Sequence, residues 1–326
     1  MPKSQVQKSK KLKIITLGGG TGNSIVLSAL KDLNCELSTI VNVTDNGGSS
    51  GRLRKKFNVL PPGDIRQCLI ALSDTNNEIK KLFNSRFEKG NLKGHAFGNI
   101  FLTSLEKSYG NIEKAIEIAS RSLNAKGNIV PATLDKANLC LKTRKKIICG
   151  EHEVYGVEIS KLKNFRLYLK PKANINPRAE KTVKNADFII FSPGNLYCSI
   201  VPILLIKGMA KAIEKSKAKI IYISPLANLK NHTNNFYLED YIDLLQKYLN
   251  RPFNYIIYNK NIDFVGKNNQ PVLIKNNDNF SDVKILKQDF VQKELYEKDK
   301  NDALARTLIR HNPAKLTTVL RQVCGF

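Results

Sequence analysis

Short runs of apolar residues recur along the chain, separated by longer stretches in which apolar residues are spaced as on one face of a helix. Uninterrupted apolar runs are typical of strands buried on both faces of a parallel sheet. Asn111 precedes the helical stretch that begins at Ile112 and is expected to cap it. Five runs predict strands: KLKIITL (11–17), LSTIVNV (37–43), ADFIIF (186–191), KIIYIS (219–224) and NYIIYN (254–259). Strands alternating with helices indicate an α/β fold with a doubly wound, mostly parallel sheet.

No internal repeat, long linker or break in composition divides the chain. We therefore predict a single α/β domain over residues 11–326, and the sequence leaves open a smaller C-terminal lobe from about residue 260. Residues 1–10 are expected to form a basic disordered tail. No apolar run approaches the ~20 residues of a membrane-spanning helix, and the first run breaks at Gly18, too early for a secretory signal. We predict a cytoplasmic protein without membrane insertion.

Lysine and arginine outnumber acidic residues by 53 to 28, which gives a net charge of +25. Such an excess is found in proteins that bind nucleic acids, anionic membranes or phosphorylated ligands. It also arises from coding bias, and the absence of Trp with only two Met is typical of that origin. No run interleaves basic and aromatic residues as single-strand binders do. We therefore favour coding bias and predict no specific nucleic-acid partner.

The cysteines are scattered along the chain without a C-x-x-C pair: Cys35, Cys68, Cys140, Cys149, Cys198 and Cys324. Disulfide frameworks and zinc sites require clustered spacing. We therefore predict that all six are reduced thiols.

The first predicted strand ends in a glycine loop, LGGGTGNS (17–24), which opens a predicted helix. Glycines after a strand allow a tight turn and bring backbone N–H groups close to a phosphate at the helix N-terminus. The dinucleotide fingerprint G-x-G-x-x-G does not fit, because Asn23 or Ile25 stands at its third glycine position. A Walker lysine is also absent. The loop predicts a generic phosphate-facing turn with these ligand-binding residues: Gly18, Gly19, Gly20, Thr21 and Gly22.

The second predicted strand is followed by TDNGGSSGRLR (44–54), an acid in a flexible, polar loop. Asp45 stands near the position at which a Rossmann acid holds a ribose hydroxyl. Soon afterwards, PPGDIRQCL (61–69) adds a rigid turn with a further acid and base. Acids, N–H donors and guanidinium groups together suit a phosphorylated ligand, with Asp45 as the candidate metal ligand. The predicted ligand-binding residues here are Asp45, Asn46, Gly47, Gly48, Ser49, Ser50, Arg52, Asp64 and Arg66.

Two further glycine-containing segments are GHAFGNIFLTSL (94–105) and FSPGNLYCSIVP (191–202). His95 lies between glycines just before an apolar helix, and Asn99 falls in that helix's first turn. Gly194 and Asn195 follow the strand 186–191. Loops at the carboxyl ends of parallel strands converge on one crevice. We therefore predict that these residues complete the same ligand site.

These segments, together with PATLDKANL (131–139), resemble in order the signature segments of the gluconeogenesis-factor branch of the 2-phospho-L-lactate transferase family. IRHNPAKL (309–316) resembles the family's closing segment and adds Arg310 as a group reaching the ligand's phosphates. The resemblance implies a Rossmann-like three-layer fold and nucleotide-type ligands such as UDP-sugars or dinucleotides. It also implies a regulatory role that links carbon metabolism to cell shape and envelope synthesis.

The resemblance leaves catalysis open. The archaeal branch transfers a phospholactyl group from a guanosine diphosphate carrier to a deazaflavin precursor, with Mg²⁺. That branch has paired acids where this chain has Asp45 and Asn46, and losing one carboxylate weakens a magnesium site. The leading hypothesis is a ligand-binding regulatory factor, the second a magnesium-dependent transferase and the third an NAD-dependent oxidoreductase. No cofactor other than Mg²⁺ is implied, and a homo-oligomer remains open.

Overall fold

The computed structural model describes residues 11–263, 270–276, 280, 282–296 and 309–326. Seven strands form its central sheet: β1 (Leu12–Gly18), β2 (Cys35–Val41), β3 (Asn128–Pro131), β7 (Phe188–Phe191), β8 (Lys219–Ile223), β10 (Tyr255–Asn259) and β12 (Lys284–Gln288). Their order is β12-β10-β8-β7-β1-β2-β3, and every neighbouring pair is parallel. All five predicted strands are present, and the predicted parallel α/β fold is confirmed.

Successive strand residues point to opposite sides of the sheet, so these apolar strands present apolar side chains on both faces. Helices cover both faces. In β1, Ile14 faces one apolar core and Ile15 the other. The first face is covered by α1 (Thr21–Leu30), α3 (Pro62–Leu72), α4 (Asn77–Asn84), α5 (Phe97–Tyr109), α6 (Ile112–Ser122) and α12 (Pro313–Cys324). The second is covered by α7 (Glu151–Tyr155), α8 (Pro177–Lys184), α9 (Val201–Leu204), α10 (Met209–Lys215) and α11 (Leu238–Gln246). The result is the expected Rossmann-like three-layer arrangement.

Local capping follows the sequence closely at α6. The Oδ1 atom of Asn111 accepts hydrogen bonds from the backbone N–H groups of Glu113 and Lys114, at 2.7 and 3.4 Å. A helix end satisfied in this way begins at a defined residue. The predicted cap at Asn111 is therefore confirmed.

Two smaller sheets lie outside the central one. An antiparallel sheet contains β4 (Asn138–Thr143), β5 (Ile147–Cys149) and β6 (Phe165–Lys170) in the order β5-β4-β6, and β9 (Ala227–Asn228) pairs with β11 (Gln270–Pro271). Cys140 and Cys149 are direct partners across β4 and β5, with Cα atoms 4.1 Å apart, and form a disulfide. The prediction of six free thiols is therefore wrong for this pair, because the hairpin brings together residues that the sequence spaces apart. Cys35, Cys68, Cys198 and Cys324 are free.

The chain changes direction at the middle of the sheet. From β1 it continues to β2 and β3 on one side, whereas β7, β8, β10 and β12 follow on the other. The helices that follow β1 and β7 therefore cover opposite faces of the sheet, and a crevice opens at the carboxyl ends of these two strands. At the sheet's far end β12 is the edge strand, while α12 packs against the apolar core that contains α1.

The predicted disordered tail, residues 1–10, lies outside the described residues. Within the described part of the chain, no helix is both long and apolar enough to span a bilayer.

Candidate functional site

A cavity of about 390 Å³ occupies the crevice at the carboxyl ends of β1 and β7. Its two bounding loops pack directly against each other. The Ser192 N–H donates to Leu17 O at 3.0 Å, and Ser192 Oγ donates to Asn23 Oδ1 at 2.9 Å. A Cβ atom on Gly22 would lie only 1.5 Å from the backbone oxygen of Pro193. Glycine is therefore required at residue 22 by the packing of the two loops.

Three helices begin at the wall of this cavity. Residues 20–22 open α1, residues 63–64 belong to the first turn of α3, and residues 47–50 open α2 (Gly48–Phe57). None of these helices has a side-chain cap on its first turn. Uncapped helix N-termini present N–H donors and the positive end of the helix dipole, which together favour an anion.

Three carboxylates stand in the same cavity wall: Asp45, Asp64 and Glu151. Glu151 Oε2 accepts hydrogen bonds from Thr44 Oγ1 at 2.6 Å and Asn42 Nδ2 at 3.1 Å. Burial raises the pKa of Glu151 well above its ordinary value, and the neighbouring Asp45 and Asp64 raise it further, against the lowering effect of those two hydrogen bonds. The wall therefore offers oxygen acceptors beside the anion-favouring helix ends.

The position of Asp64 also explains why residue 20 is a glycine. A Cβ atom on Gly20 would lie 2.5 Å from Asp64 Oδ1 and 2.6 Å from Gln67 Nε2. Gln67 in turn accepts a hydrogen bond from Thr21 Oγ1 at 2.9 Å. Glycine at residue 20 therefore makes room for side chains of α3 within the cavity.

A buried polar network supports the start of α2. Ser49 Oγ is 3.0 Å from His95 Nδ1 and accepts a hydrogen bond from Asn99 Nδ2 at 3.0 Å. Asn99 Oδ1 accepts from Arg66 Nε at 2.9 Å, and Arg66 Nη1 also contacts Asn84 Oδ1. Burial, together with the nearby charges of Arg52, Lys56 and Arg86, lowers the pKa of His95 and so favours the neutral ring. His95 thus lies behind Ser49, while Ser49, Arg66 and Asn99 reach the cavity.

Asn195 lines the opposite wall, at the start of a π-helical turn, Leu196–Ile200. Its Oδ1 accepts hydrogen bonds from the N–H groups of Tyr197 and Cys198, both at 3.0 Å. Its Nδ2 lies 3.0 Å from Nδ1 of the buried His232. The amide of Asn195 therefore caps this turn, a role that local sequence does not distinguish from ligand binding.

Most of the predicted site residues line the cavity: Gly19, Gly20, Thr21, Gly22, Asp45, Gly47, Ser49, Ser50, Asp64, Arg66, Asn99, Gly194, Asn195 and Arg310. Gly18 is the last residue of β1 and does not line it. Asn46, Gly48 and Arg52 line a neighbouring open groove, which the cavity adjoins at Gly47 and Ser49. The Arg310 guanidinium also stacks over the ring of Tyr296, 4.8 Å from its centroid.

Several lining residues were not singled out from the sequence: Gln67, Arg86, Glu151, His152, Tyr155, Ser199, Leu226, Leu229, Thr233, Tyr241, Ile309 and His311. Glu151 follows a strand and then a glycine, Gly150, which is the pattern of the predicted loops. The strand β5 is only three residues long, however, and a run that short does not predict a strand. His311 adjoins Arg310 and is buried, with its Nε2 donating to Ser224 O at 3.1 Å.

The described residues contain no group of three or more His, Cys, Asp or Glu side chains arranged to hold a metal ion. Asp45 Oδ1 accepts a hydrogen bond from the Gly47 N–H at 2.8 Å. An all-protein magnesium cage does not fit these residues. The other common form of magnesium site combines one or two carboxylates with phosphate oxygens of a ligand.

Comparison with known proteins gives a consistent result over most of the chain. The sequence pattern of 2-phospho-L-lactate transferase CofD matches residues 14–314. A Thermotoga maritima protein is 33% identical over 322 residues, covering 96% of this chain and 99% of its own. The gluconeogenesis factor of Listeria innocua is 36% identical over 254 residues, covering 76% of this chain and 77% of its own.

The fold is similar to one already solved by crystallography. A member of the UPF0052 family from Bacillus halodurans, determined at 2.60 Å resolution, has a TM-score of 0.84 and 29% sequence identity, covering 95% of this chain and 99% of that one. The match to the family pattern and the identity to full-length relatives agree with the order of segments along the sequence. The chain therefore belongs to the 2-phospho-L-lactate transferase CofD family.

Proposed function

We propose that the crevice binds a nucleotide-type ligand through its phosphates. The observation that carries this proposal is the meeting of three uncapped helix N-termini, those of α1, α2 and α3, around one cavity at the switch point of the sheet. Each contributes N–H donors and a partial positive charge, so a phosphate in the cavity is favoured by all three. Arg66 and Arg310 also line the cavity and bring full positive charges to it.

The cavity lining also suits the base and the sugar of a nucleotide. Apolar and aromatic side chains also line the cavity, among them Ile25, Tyr155, Leu226, Leu229 and Ile309. Such surfaces accommodate a flat base, while carboxylates accept hydrogen bonds from sugar hydroxyls. Asp45 is the proposed partner of a ribose hydroxyl. A UDP-sugar or a dinucleotide has all three parts.

For the protein's role we propose a cytoplasmic regulatory factor that links carbon metabolism to cell shape and envelope synthesis. Support comes from its similarity to proteins named gluconeogenesis factors. The second candidate is a magnesium-dependent transferase, which the family's name and the three carboxylates in the cavity favour. No observation favours an NAD-dependent oxidoreductase, because the glycine loop lacks the dinucleotide fingerprint.

Ligand binding should raise the stability of the folded protein. Screening by thermal shift with UDP-glucose, NAD and GDP, with and without Mg²⁺, should identify at least one stabilising compound. At a hundredfold excess over Kd the expected gain is about 2.7 kcal/mol. We expect Mg²⁺ to change the Kd less than about threefold, because a side-chain cage is lacking. A strong requirement for Mg²⁺ would favour the transferase, and no stabilisation by any of the three would contradict the proposal.

Removing the Asp45 carboxylate should weaken binding of the compound identified in that screen. Asp45→Asn loses a charged acceptor for a ribose hydroxyl, at a cost of about 1–3 kcal/mol in calorimetric binding free energy. Asp243→Asn, at an exposed position on α11, is the matched control and should leave the Kd unchanged. Equal affinity in both variants would remove Asp45 from the ligand site. Turnover that is lost in Asp45→Asn at unchanged affinity would instead establish the transferase.

A further inference from the structure

The loop after β2 is joined to the short helix α7 by the side chain of Asn46. Asn46 Oδ1 accepts a hydrogen bond from the backbone N–H of His152 at 2.8 Å, and Asn46 Nδ2 donates to Glu153 Oε2 at 2.7 Å. Both partners lie in α7, which has no cap of its own on its first turn. A single amide therefore satisfies one backbone donor and one side-chain acceptor of the same short helix.

The backbone that precedes α7 packs closely against the side-chain amide of Asn46. Gly150 has a φ of +115° and donates its N–H to Leu139 O at 2.7 Å. A Cβ atom on Gly150 would lie 2.4 Å from Asn46 Nδ2. The Cys140–Cys149 disulfide fixes the preceding residue to β4. The start of α7 is thus held from two sides, by β4 and by Asn46.

Glu151 lies between these two attachments and reaches the cavity. Its Oε2 is held by Thr44 and Asn42, two residues of the loop that also carries Asn46. A helix of five residues has little stability of its own, so its position depends on such contacts. We propose that Asn46 is a positioning residue, whose neutral amide docks α7 and thereby sets the place of Glu151 as a ligand-contacting carboxylate.

The charge of Glu153 explains why an amide is needed. An aspartate at residue 46 would keep an oxygen for the His152 N–H but would replace the donor to Glu153 with a second carboxylate. Two carboxylates at about hydrogen-bonding distance repel each other, and neither can donate while both are ionised. In this chain the side chain of residue 46 therefore serves the attachment of α7.

The proposal predicts a loss and a specific rescue. Asn46→Asp should weaken binding of UDP-glucose, NAD or GDP, whichever the wild type binds, by about tenfold, because α7 and Glu151 shift. Adding Glu153→Gln restores a donor opposite the new carboxylate and should return the Kd to within about threefold of wild type. Glu158→Gln, which also removes an acid from the same segment, should not rescue Asn46→Asp.

Hydrogen exchange of residues 149–156, measured without any ligand, separates this inference from the proposed function on which its binding arm rests. Exchange there should accelerate at least fivefold in Asn46→Asp and return toward wild type only with Glu153→Gln. If the wild type binds none of UDP-glucose, NAD and GDP, the proposed function fails while the exchange pattern still tests Asn46. Unchanged exchange in Asn46→Asp, or equal rescue by Glu158→Gln, would overturn the inference.

Discussion

Replacing Gly22 with alanine should lower the free energy of unfolding by about 3 kcal/mol, which is a large loss for one methyl group. The added Cβ would lie 1.5 Å from the backbone oxygen of Pro193 and 2.6 Å from its carbonyl carbon. Both are main-chain atoms of the loop after β7, so relief requires that α1 and this loop move apart. We expect a lower midpoint in urea, measured by circular dichroism.

Gly194→Ala is the matched control, because it lies in the loop that Gly22 meets. Its Cβ would come no closer than 3.5 Å to Ser199 Cβ, which is an ordinary contact. We expect a change within about 0.5 kcal/mol. Equal stability of Gly22→Ala and wild type would contradict the close packing of the loops after β1 and β7.

Acidification should destabilise the protein through His311. Burial lowers the pKa of His311 from 6.5 to about 4, with a further lowering by Arg310 and an opposing effect of the hydrogen bond to Ser224 O. Between these values the unfolded chain binds a proton at this residue and the folded protein does not. The contribution of neutral His311 is therefore complete above about pH 6.5 and lost as the pH falls toward 4, an effect of about 3 kcal/mol.

Comparison with His311→Gln isolates this residue. A glutamine amide retains a donor for Ser224 O but does not titrate. The unfolding free energy of the wild type minus that of the variant should therefore fall by about 3 kcal/mol from pH 7 to pH 4, whatever the variant's absolute stability. Effects of the other buried histidines, His95 and His232, cancel in this difference. Parallel stability curves for the two proteins would show that His311 is not the source.

The sheet could be predicted from the sequence because its strands are marked by their own residues. Runs such as IIYI in β8 and YIIY in β10 are apolar throughout, as burial on both faces requires. The crevice could also be predicted from the sequence, since parallel strands place their glycine-rich ends on one edge of the sheet. Chain order along the sheet, which creates the switch point, required the structure.

The parts that escaped prediction depend on tertiary contacts. The elements β5 and α7 are three and five residues long and leave no periodic pattern, so Glu151 was not recognised. The disulfide of Cys140 with Cys149 depends on the hairpin register, which residue spacing alone does not reveal. Side-chain partners are likewise a property of the fold. The amides of Asn46 and Asn195 both contact backbone within the protein, although their loop positions resemble ligand sites.

The central claim is that a phosphate-bearing ligand binds where α1, α2 and α3 begin. The most direct test is a titration of ¹⁵N-labelled protein with GDP or UDP-glucose, followed by the chemical shifts of backbone amides. We expect saturable shifts that are largest at residues 19–22, 47–50 and 63–64, because these N–H groups would face the phosphates. Saturable binding with its largest shifts elsewhere, for example at Lys55 and Lys93 in the neighbouring groove, would contradict the account.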